Sequence, residues 1–232
     1  MATASRDRHT PARQRERILG SVDRFWRPED LATSGSTSQH LLARLVDEGE
    51  LLHVRRGLYW RGRSSPLGMA PPPTDALVGE LAPGPGVGPA GLYAANLLRL
   101  STQVPRRAQV AVPSRAPESL GNIRFVTRSA RSGRLKAGLD PAEVALLEVL
   151  GSWESTIELP AAEAWARLLE LLSSGAARAK RLAQAGRTEP ASTRARLREL
   201  LRAHGRDDLA EQVPAADRRT MAAAARVLEG VA

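Results

Sequence analysis

The stretch that decides the fold of this chain runs from Arg27 to Arg61 and reads RPEDLATSGSTSQHLLARLVDEGELLHVRRGLYWR. Pro28 suits the first position of a short helix, PEDLA, which the following Ser-Gly pair ends. A second helix is predicted from about Ser36 to Glu48, because leucine and valine recur on one face at the 3.6-residue period. Gly49 is well placed to stop this helix, and LLHV and LYWR then have the pattern of a two-stranded hairpin.

This order of helix, turn, helix and hairpin is that of a winged helix-turn-helix. Such a fold offers the polar face of its second helix to a DNA major groove about 12 Å wide, and its wing reaches phosphates or a minor groove. The predicted DNA-binding residues lie on that helix and on the basic hairpin tip: Ser36, Thr37, Ser38, Gln39, His40, Arg44, Arg55 and Arg56. A small helical domain with a solvated polar face and an ordinary hairpin would show much of the same pattern.

Positive charge is concentrated in one part of the sequence. The 232 residues carry a net charge of +9, and the segment from Arg99 to Lys136 holds nine basic residues and one acid, Glu118, a net +8. A local basic patch favours nucleic acid or an acidic partner. Its candidate residues flank or lie within the predicted strands AQVAV and NIRFVT: Arg106, Arg107, Arg124 and Arg128. The alternative is a solvated face in a protein whose arginine content follows a GC-rich genome.

Several classes of function lack their sequence signatures. The chain has no cysteine, which excludes disulfides and thiol catalysis, and its four histidines stand in no metal-binding pattern. No nucleophile elbow or Walker motif is present. We therefore expect no catalytic residues, no metal, no cofactor and no enzymatic activity, although an active site built from distant residues stays open. With no apolar run of about 18 residues and no secretory signal, we expect a cytoplasmic protein without membrane contact.

The chain is long enough for two domains. We predict an α+β, mostly helical fold with an N-terminal winged helix-turn-helix and a larger α/β domain with a helical C-terminus. The predicted divisions are a disordered tail (1–9), the winged helix-turn-helix (10–62), a proline-rich linker (63–73) and a basic domain with C-terminal helices (74–232). Phe25 and Trp26 should close the first core, residues 83–91 should form a flexible loop, and Asp140-Pro141 should start a helix.

One run in the second domain resembles a known family. AANLLRLSTQVPRRAQVAV, from Ala94 to Val112, follows a hairpin ending in RRGLYW. This combination resembles the AbiEi-type antitoxins of bacterial toxin–antitoxin operons over roughly residues 13–150. The LSTQVP part is the more specific, whereas RGLY occurs in many winged helices.

The resemblance implies an antitoxin of a type IV toxin–antitoxin system. Its winged helix would bind inverted repeats in its own promoter, double-stranded DNA, and repress the operon, with the reading helix at Ser36–Glu48 and the wing at Leu51–Arg61. The second domain would counter a nucleotidyltransferase-type toxin, functionally rather than as a stable complex. Two other interpretations remain: a winged-helix regulator whose C-terminal domain senses a ligand or dimerises, and an enzyme that uses the winged helix to find nucleic acid.

Overall fold

The computed structural model describes residues 10–229, with side chains to Arg226, and has a mixed α+β fold in which helices predominate. The chain forms two compact units, which divide between Glu80 and Leu81. The predicted tail, residues 1–9, lies outside the described residues. The predicted linker, residues 63–73, lies within the first unit rather than between the two.

The first unit is built from short helices and hairpins. A single turn of 3-10 helix, Pro28–Asp30, stands where the sequence predicts the helix PEDLA. The α-helices and strands of the first unit are α1 (Pro11–Leu19), β1 (Arg24–Trp26), α2 (Gly35–Asp47), β2 (Leu52–Arg55), β3 (Leu58–Arg61), β4 (Ser64–Ser65), β5 (Gly68–Met69) and α3 (Thr74–Leu81). The last residue of α3, Leu81, lies past the division between the two units.

Helix α2 is amphipathic, and it ends where the sequence predicts. Its buried side chains are Ser38, Leu41, Leu42 and Leu45. Gly49 adopts a φ of +73°, and its N–H donates to the carbonyl oxygen of Val46 at 2.9 Å. A left-handed residue just after the last turn is a common helix ending, and glycine adopts it without a steric penalty.

Three antiparallel strands form the sheet of the first unit in the order β1-β3-β2. Phe25 lies opposite Trp60, and Trp26 lies opposite Tyr59. Both tryptophans are buried, and Trp26 belongs to the same core cluster as Leu42 and Leu45 of α2. Sequence analysis placed Phe25 and Trp26 in this core but not in a strand, because three residues are too few to show a two-residue alternation.

The predicted linker begins with a second hairpin that packs back on the first sheet. Strands β4 and β5 pair with Ser64 opposite Met69. The indole N–H of the buried Trp60 donates to the carbonyl oxygen of Ala70 at 3.0 Å. Only glycine fits at Gly62, since a Cβ there would lie 2.3 Å from that same oxygen. Residues up to Ala70 are therefore part of the first unit's packing.

The second unit combines a small sheet with many helices. Its helices are α4 (Gly91–Leu97), α5 (Gly133–Lys136), α6 (Pro141–Gly151), α7 (Trp153–Thr156), α8 (Ala161–Ser173), α9 (Ala179–Gly186), α10 (Ala191–Ala203), α11 (Asp207–Gln212) and α12 (Arg218–Glu229). Its strands are β6 (Gly88–Ala90), β7 (Ala108–Val112) and β8 (Ile123–Thr127). None of the described helices is both long enough and apolar enough to cross a bilayer.

The sheet of the second unit places β7 in the centre, antiparallel to β6 and parallel to β8. Strand β6 corrects the prediction of a flexible loop at residues 83–91, because its three residues are fully buried. Gly88 is required there by space: a Cβ would lie 2.7 Å from Cβ of Val144 and 2.8 Å from the carbonyl oxygen of Pro141. Gly88 therefore permits close packing of β6 on α6.

Helix α6 runs through the centre of the second unit, and every residue from Glu143 to Leu150 is buried. Its predicted start is confirmed by a reciprocal cap. The backbone N–H of Glu143 donates to Asp140 at 3.1 Å, and the carboxylate of Glu143 accepts the N–H of Asp140 at 3.0 Å.

Candidate nucleic-acid interface

An open groove in the first unit brings together helix α2 and the tip of the β2–β3 hairpin. The groove has a volume of about 700 Å³. Its lining residues are Arg27, Pro28, Glu29, Gln39, His40, Ala43, Arg56, Gly57 and Tyr59. Three of the predicted DNA-binding residues therefore share one surface: Gln39 and His40 from the helix and Arg56 from the hairpin tip.

The exposed side of α2 carries most of the residues predicted to read DNA. Ser36, Gln39, His40 and Arg44 are exposed. Thr37 is half-buried, and its hydroxyl lies 2.7 Å from the hydroxyl of Ser34 at the helix start. This face is polar and carries both hydrogen-bond donors and acceptors, as base-edge recognition requires.

Ser38 is placed differently from the prediction. Its side chain is fully buried, and its hydroxyl lies 2.6 Å from the hydroxyl of Thr33. At the helical period Ser38 falls on the same side as Leu41, Leu42 and Leu45, so it faces the core. This placement corrects the assignment of Ser38 to the DNA-binding set, and the residue serves instead to fasten the turn before α2.

Arg44 makes an exposed ion pair on its own helix. Its Nε lies 3.2 Å from the carboxylate of Glu48, which also accepts a hydrogen bond from Arg15 of α1 at 3.0 Å. The Arg44 side chain is 63% exposed. Because exposed pairs contribute at most about 1 kcal/mol, the guanidinium can exchange this partner for a base or a phosphate at small cost.

The hairpin tip presents its two arginines on a tight turn. Gly57 has a φ of +72°, which explains why glycine follows the arginine pair. Arg56 is exposed and Arg55 is half-buried. In the described part of the chain neither of them has a carboxylate partner within ion-pair distance, so no carboxylate competes with an incoming anion for either guanidinium.

The groove also contains residues that the sequence analysis did not select. Arg27 lies directly before the 3-10 turn, and its side chain is 34% exposed. Tyr59 lies in β3, with its ring centroid 5.5 Å from that of His53 on β2. Neither residue belongs to the polar face of α2 or to the hairpin tip, and only the folded chain brings them to those elements.

Three of the four predicted patch residues in the second unit are exposed. Arg106 and Arg107 precede β7, Arg124 lies on β8, and none of them has a carboxylate partner among the described residues. Arg128 is different. Its Nε and Nη2 donate to the two carboxylate oxygens of Glu148, each at 3.1 Å. Arg128 is therefore a structural residue of this unit more than a free surface cation.

Arg128 belongs to a largely buried network of three arginines and two glutamates. Arg134 donates to Glu148 at 2.7 Å and to Glu189 at 2.6 and 2.8 Å. Arg131 pairs with both of these glutamates. Burial opposes ionisation of Glu148, but Arg128, Arg134 and Arg131 outweigh it and hold the pKa of Glu148 below its ordinary value. Three of the nine basic residues counted between Arg99 and Lys136 are thus paired with carboxylates inside the unit.

The LSTQVP loop, residues 100–105, is fastened by one carboxylate. Glu158 accepts hydrogen bonds from the hydroxyl of Ser101 and the backbone N–H of Thr102, both at 2.8 Å, and from the side chain of Gln103. These bonds, led by the Thr102 N–H, lower the pKa of Glu158 to about 2. The next residue, Val104, is 81% exposed. The loop is therefore a fixed element that displays an apolar side chain beside Arg106 and Arg107.

Comparison with known proteins bears on the fold alone. The structure is similar to the crystal structure of the RV2827C protein from Mycobacterium tuberculosis. The match has a TM-score of 0.51 at 18% sequence identity and covers 91% of this chain and 80% of that one. No protein-family model and no curated protein sequence matches the chain. At this identity the similarity shows a shared fold and does not assign a function.

The described side chains offer no evident metal centre. Within residues 10–226, no group of three or more histidine, cysteine, aspartate or glutamate side chains could hold a metal ion. The arrangement that the structure does provide is a polar helix face beside a basic turn, which is suited to hydrogen bonding and to anion binding.

Proposed function

We propose that the chain is a sequence-specific DNA-binding protein that represses transcription, with its first unit acting as a winged helix-turn-helix. The observation that carries the proposal is the shared groove, in which Gln39 and His40 of α2 stand beside Arg56 of the hairpin tip. In this proposal α2 enters the major groove, and the β2–β3 hairpin is the wing.

The chemistry of these residues supports a division of labour. Gln39, His40 and Arg44 carry the donors and acceptors that pair with base edges, and an arginine on guanine is the most common specific contact. Arg55 and Arg56 supply charge at a tight turn, which suits phosphates or a narrow minor groove. In this proposal α2 therefore recognises the base sequence, and the tip of the neighbouring β2–β3 hairpin binds the DNA backbone.

A titration of the full chain against a duplex from its own upstream region tests this proposal. Replacing Arg55 and Arg56 with alanine should weaken binding to all sequences alike. It should also reduce the slope of log K against log salt by about 0.9 for each lost phosphate contact. The double variant Arg202→Ala/Arg206→Ala, which removes equal charge from the second unit, is the matched control. Equal slopes for the two double variants would contradict the wing assignment.

We further propose that the protein acts as an antitoxin of the AbiEi type, in a type IV system. The resemblance of the LSTQVP run supports this role, as does the presentation of that loop: Glu158 fixes it, and Val104 is exposed near Arg106 and Arg107, which have no carboxylate partner among the described residues. The partner would be a nucleotidyltransferase-type toxin encoded next to this gene. Co-expression with the neighbouring gene, scored for growth rescue, tests the role; a neighbour that is harmless to the cell would contradict it.

The alternative is a winged-helix regulator that responds to a small molecule. An open pocket of about 490 Å³ in the second unit favours it, lined in part by Pro85, Val112, Pro113, Arg115 and Leu135. This alternative predicts that a ligand changes operator affinity in the absence of any toxin gene. Thermal-shift screening of the full chain, followed by the same DNA titration, distinguishes it from the antitoxin.

A further inference from the structure

The groove in the first unit contains a cation that is already paired. Arg27 lines the groove together with Gln39, His40 and Arg56. Its backbone is fixed, because its N–H donates to the carboxylate of Asp30 at 2.7 Å and Pro28 follows it. The fixed backbone therefore holds the base of the Arg27 side chain next to the surface that we propose binds DNA.

The partner of Arg27 is Glu80, near the end of α3. The Nε of Arg27 donates to Oε1 of Glu80 at 2.9 Å, and Nη2 donates to the same oxygen. Two donors on one oxygen is a weaker arrangement than the parallel fork that uses both carboxylate oxygens. A second carboxylate, that of Glu29, lies 3.9 Å from Nη1.

The partial exposure of this pair makes it exchangeable. The Arg27 side chain is 34% exposed and that of Glu80 is 27% exposed. The pair is half-buried and keeps contact with solvent, so its net contribution is on the order of 1 kcal/mol, whereas arginine makes strong, often two-pronged hydrogen bonds with phosphate. A DNA phosphate that enters the groove can therefore take over the guanidinium.

We propose that Arg27 is a phosphate-binding residue of the groove and that Glu80 is a built-in competitor for it. This inference rests on the proposed DNA-binding function. In the free protein Glu80 occupies Arg27, and bound DNA displaces the carboxylate. The exchange lowers the affinity for every duplex by the same factor, so Glu80 limits the strength of DNA binding without changing the preference among sequences.

Binding of the full chain to a duplex of about 25 base pairs and arbitrary sequence tests the competition, because phosphate contacts do not depend on sequence. Glu80→Gln should tighten binding by about two- to fivefold, the range expected for a half-buried ion pair worth on the order of 1 kcal/mol. Asp75→Asn is the matched control: it removes one negative charge from the same helix at an exposed residue. Equal effects of Glu80→Gln and Asp75→Asn would overturn the competition, since only bulk charge would then matter.

Arg27→Gln completes the experiment. It should reduce the salt slope by about 0.9, the loss of one phosphate contact. In the Arg27→Gln background, Glu80→Gln should have no more effect than Asp75→Asn, whereas a merely structural role of Glu80 would act without Arg27. An unchanged slope in Arg27→Gln, with a native circular dichroism spectrum, would overturn the phosphate contact.

The Arg55/Arg56 variant separates this inference from the proposed function. If that variant weakens binding while Arg27→Gln and Glu80→Gln do not alter it, the DNA-binding proposal stands and the competition is wrong. If none of these variants changes binding, or if the full chain binds no DNA, both proposals are overturned.

Discussion

Arg134 and Glu189 form a two-pronged ion pair inside the second unit, with N–O distances of 2.6 and 2.8 Å and no solvent exposure of either side chain. Arg134 comes from α5, and Glu189 follows α9, so the pair joins segments that are 55 residues apart. Glu148 of α6 completes the network. The basic region of the sequence thus folds around its own acidic partners.

Breaking this pair should destabilise the protein strongly. Glu189→Gln leaves Arg134 with an incompletely compensated charge in the interior, a change that typically costs about 3–5 kcal/mol. Urea unfolding of the full chain measures the loss. Glu170→Gln, which removes the partner of Arg167 on the exposed side of α8, should change stability by less than about 1 kcal/mol. Similar losses for both variants would contradict a special role for the buried pair.

The hydrogen bonds from Ser101, Thr102 and Gln103 to the carboxylate of Glu158, here called the Glu158 cradle, should stabilise the fold less in acid. Because the folded-state pKa of Glu158, about 2, lies below the ordinary value of 4.5, the cradle stabilises the fold above pH 4.5. That contribution declines as the pH falls from 4.5 towards 2. Glu158→Gln should therefore be less stable than the wild type at pH 6, and the difference should shrink by pH 2.5. A difference that is constant with pH would show that the carboxylate charge does not hold the LSTQVP loop.

Arg44 and Ser38 should have opposite phenotypes although both lie on α2. Arg44→Ala should weaken binding to the operator by about 1–3 kcal/mol and relax preference at one base pair, with little change in stability. Ser38→Ala should lower stability, since it leaves Thr33 without its hydroxyl partner, and should leave sequence preference intact. Titrations against single-base operator variants, with thermal unfolding of the same samples, separate the two. Wild-type selectivity in Arg44→Ala would mean that α2 is not the reader.

The exposed arginines of the second unit should matter for rescue rather than for repression. The variant replaces three side chains with serine: Arg106, Arg107 and Arg124. We leave Arg128 in place, because removing it would disturb the partners of Glu148. We expect loss of growth rescue from the neighbouring toxin with repression retained, since these arginines lie outside the groove of the first unit.

The matched control for this variant removes three other exposed arginines, from α12: Arg218, Arg219 and Arg226. It should leave both activities unchanged. Loss of repression alone in the first variant would make its residues a DNA clamp. If a folded first variant retained both activities, the patch would be only a solvated face.

The features that the sequence predicted well depend on neighbours in the chain. Helix α2 and its glycine stop, the Asp140 cap and strands β7 and β8 all have local signals of period or capping. Strands β1 and β6 lacked such signals. Each has three residues, and each exists because a partner strand lies alongside, which no local window can reveal.

Sequence reasoning selected Gln39, His40 and Arg56 for the groove, but it missed Arg27 and included Ser38. Arg27 reaches the groove through tertiary packing, and its partner Glu80 is 53 residues away. Ser38 has the right chemical type, but it falls on the inward side of the helix. Counting charges also overstated the free basic surface, since the carboxylates that pair with Arg128, Arg131 and Arg134 lie outside the counted segment.

The hydrogen bond between Trp60 and Ala70 decides where a fragment that contains the first unit can end. A fragment that stops at Gly62, the boundary suggested by composition, would strip the buried indole N–H of its acceptor and Arg27 of Glu80. An unpaired buried donor costs about 1–3 kcal/mol, a serious loss for so small a fragment. In gene fusions or domain exchanges, the transferable piece therefore ends at Glu80. Such a piece includes Glu80 itself, the proposed competitor for Arg27 in the groove.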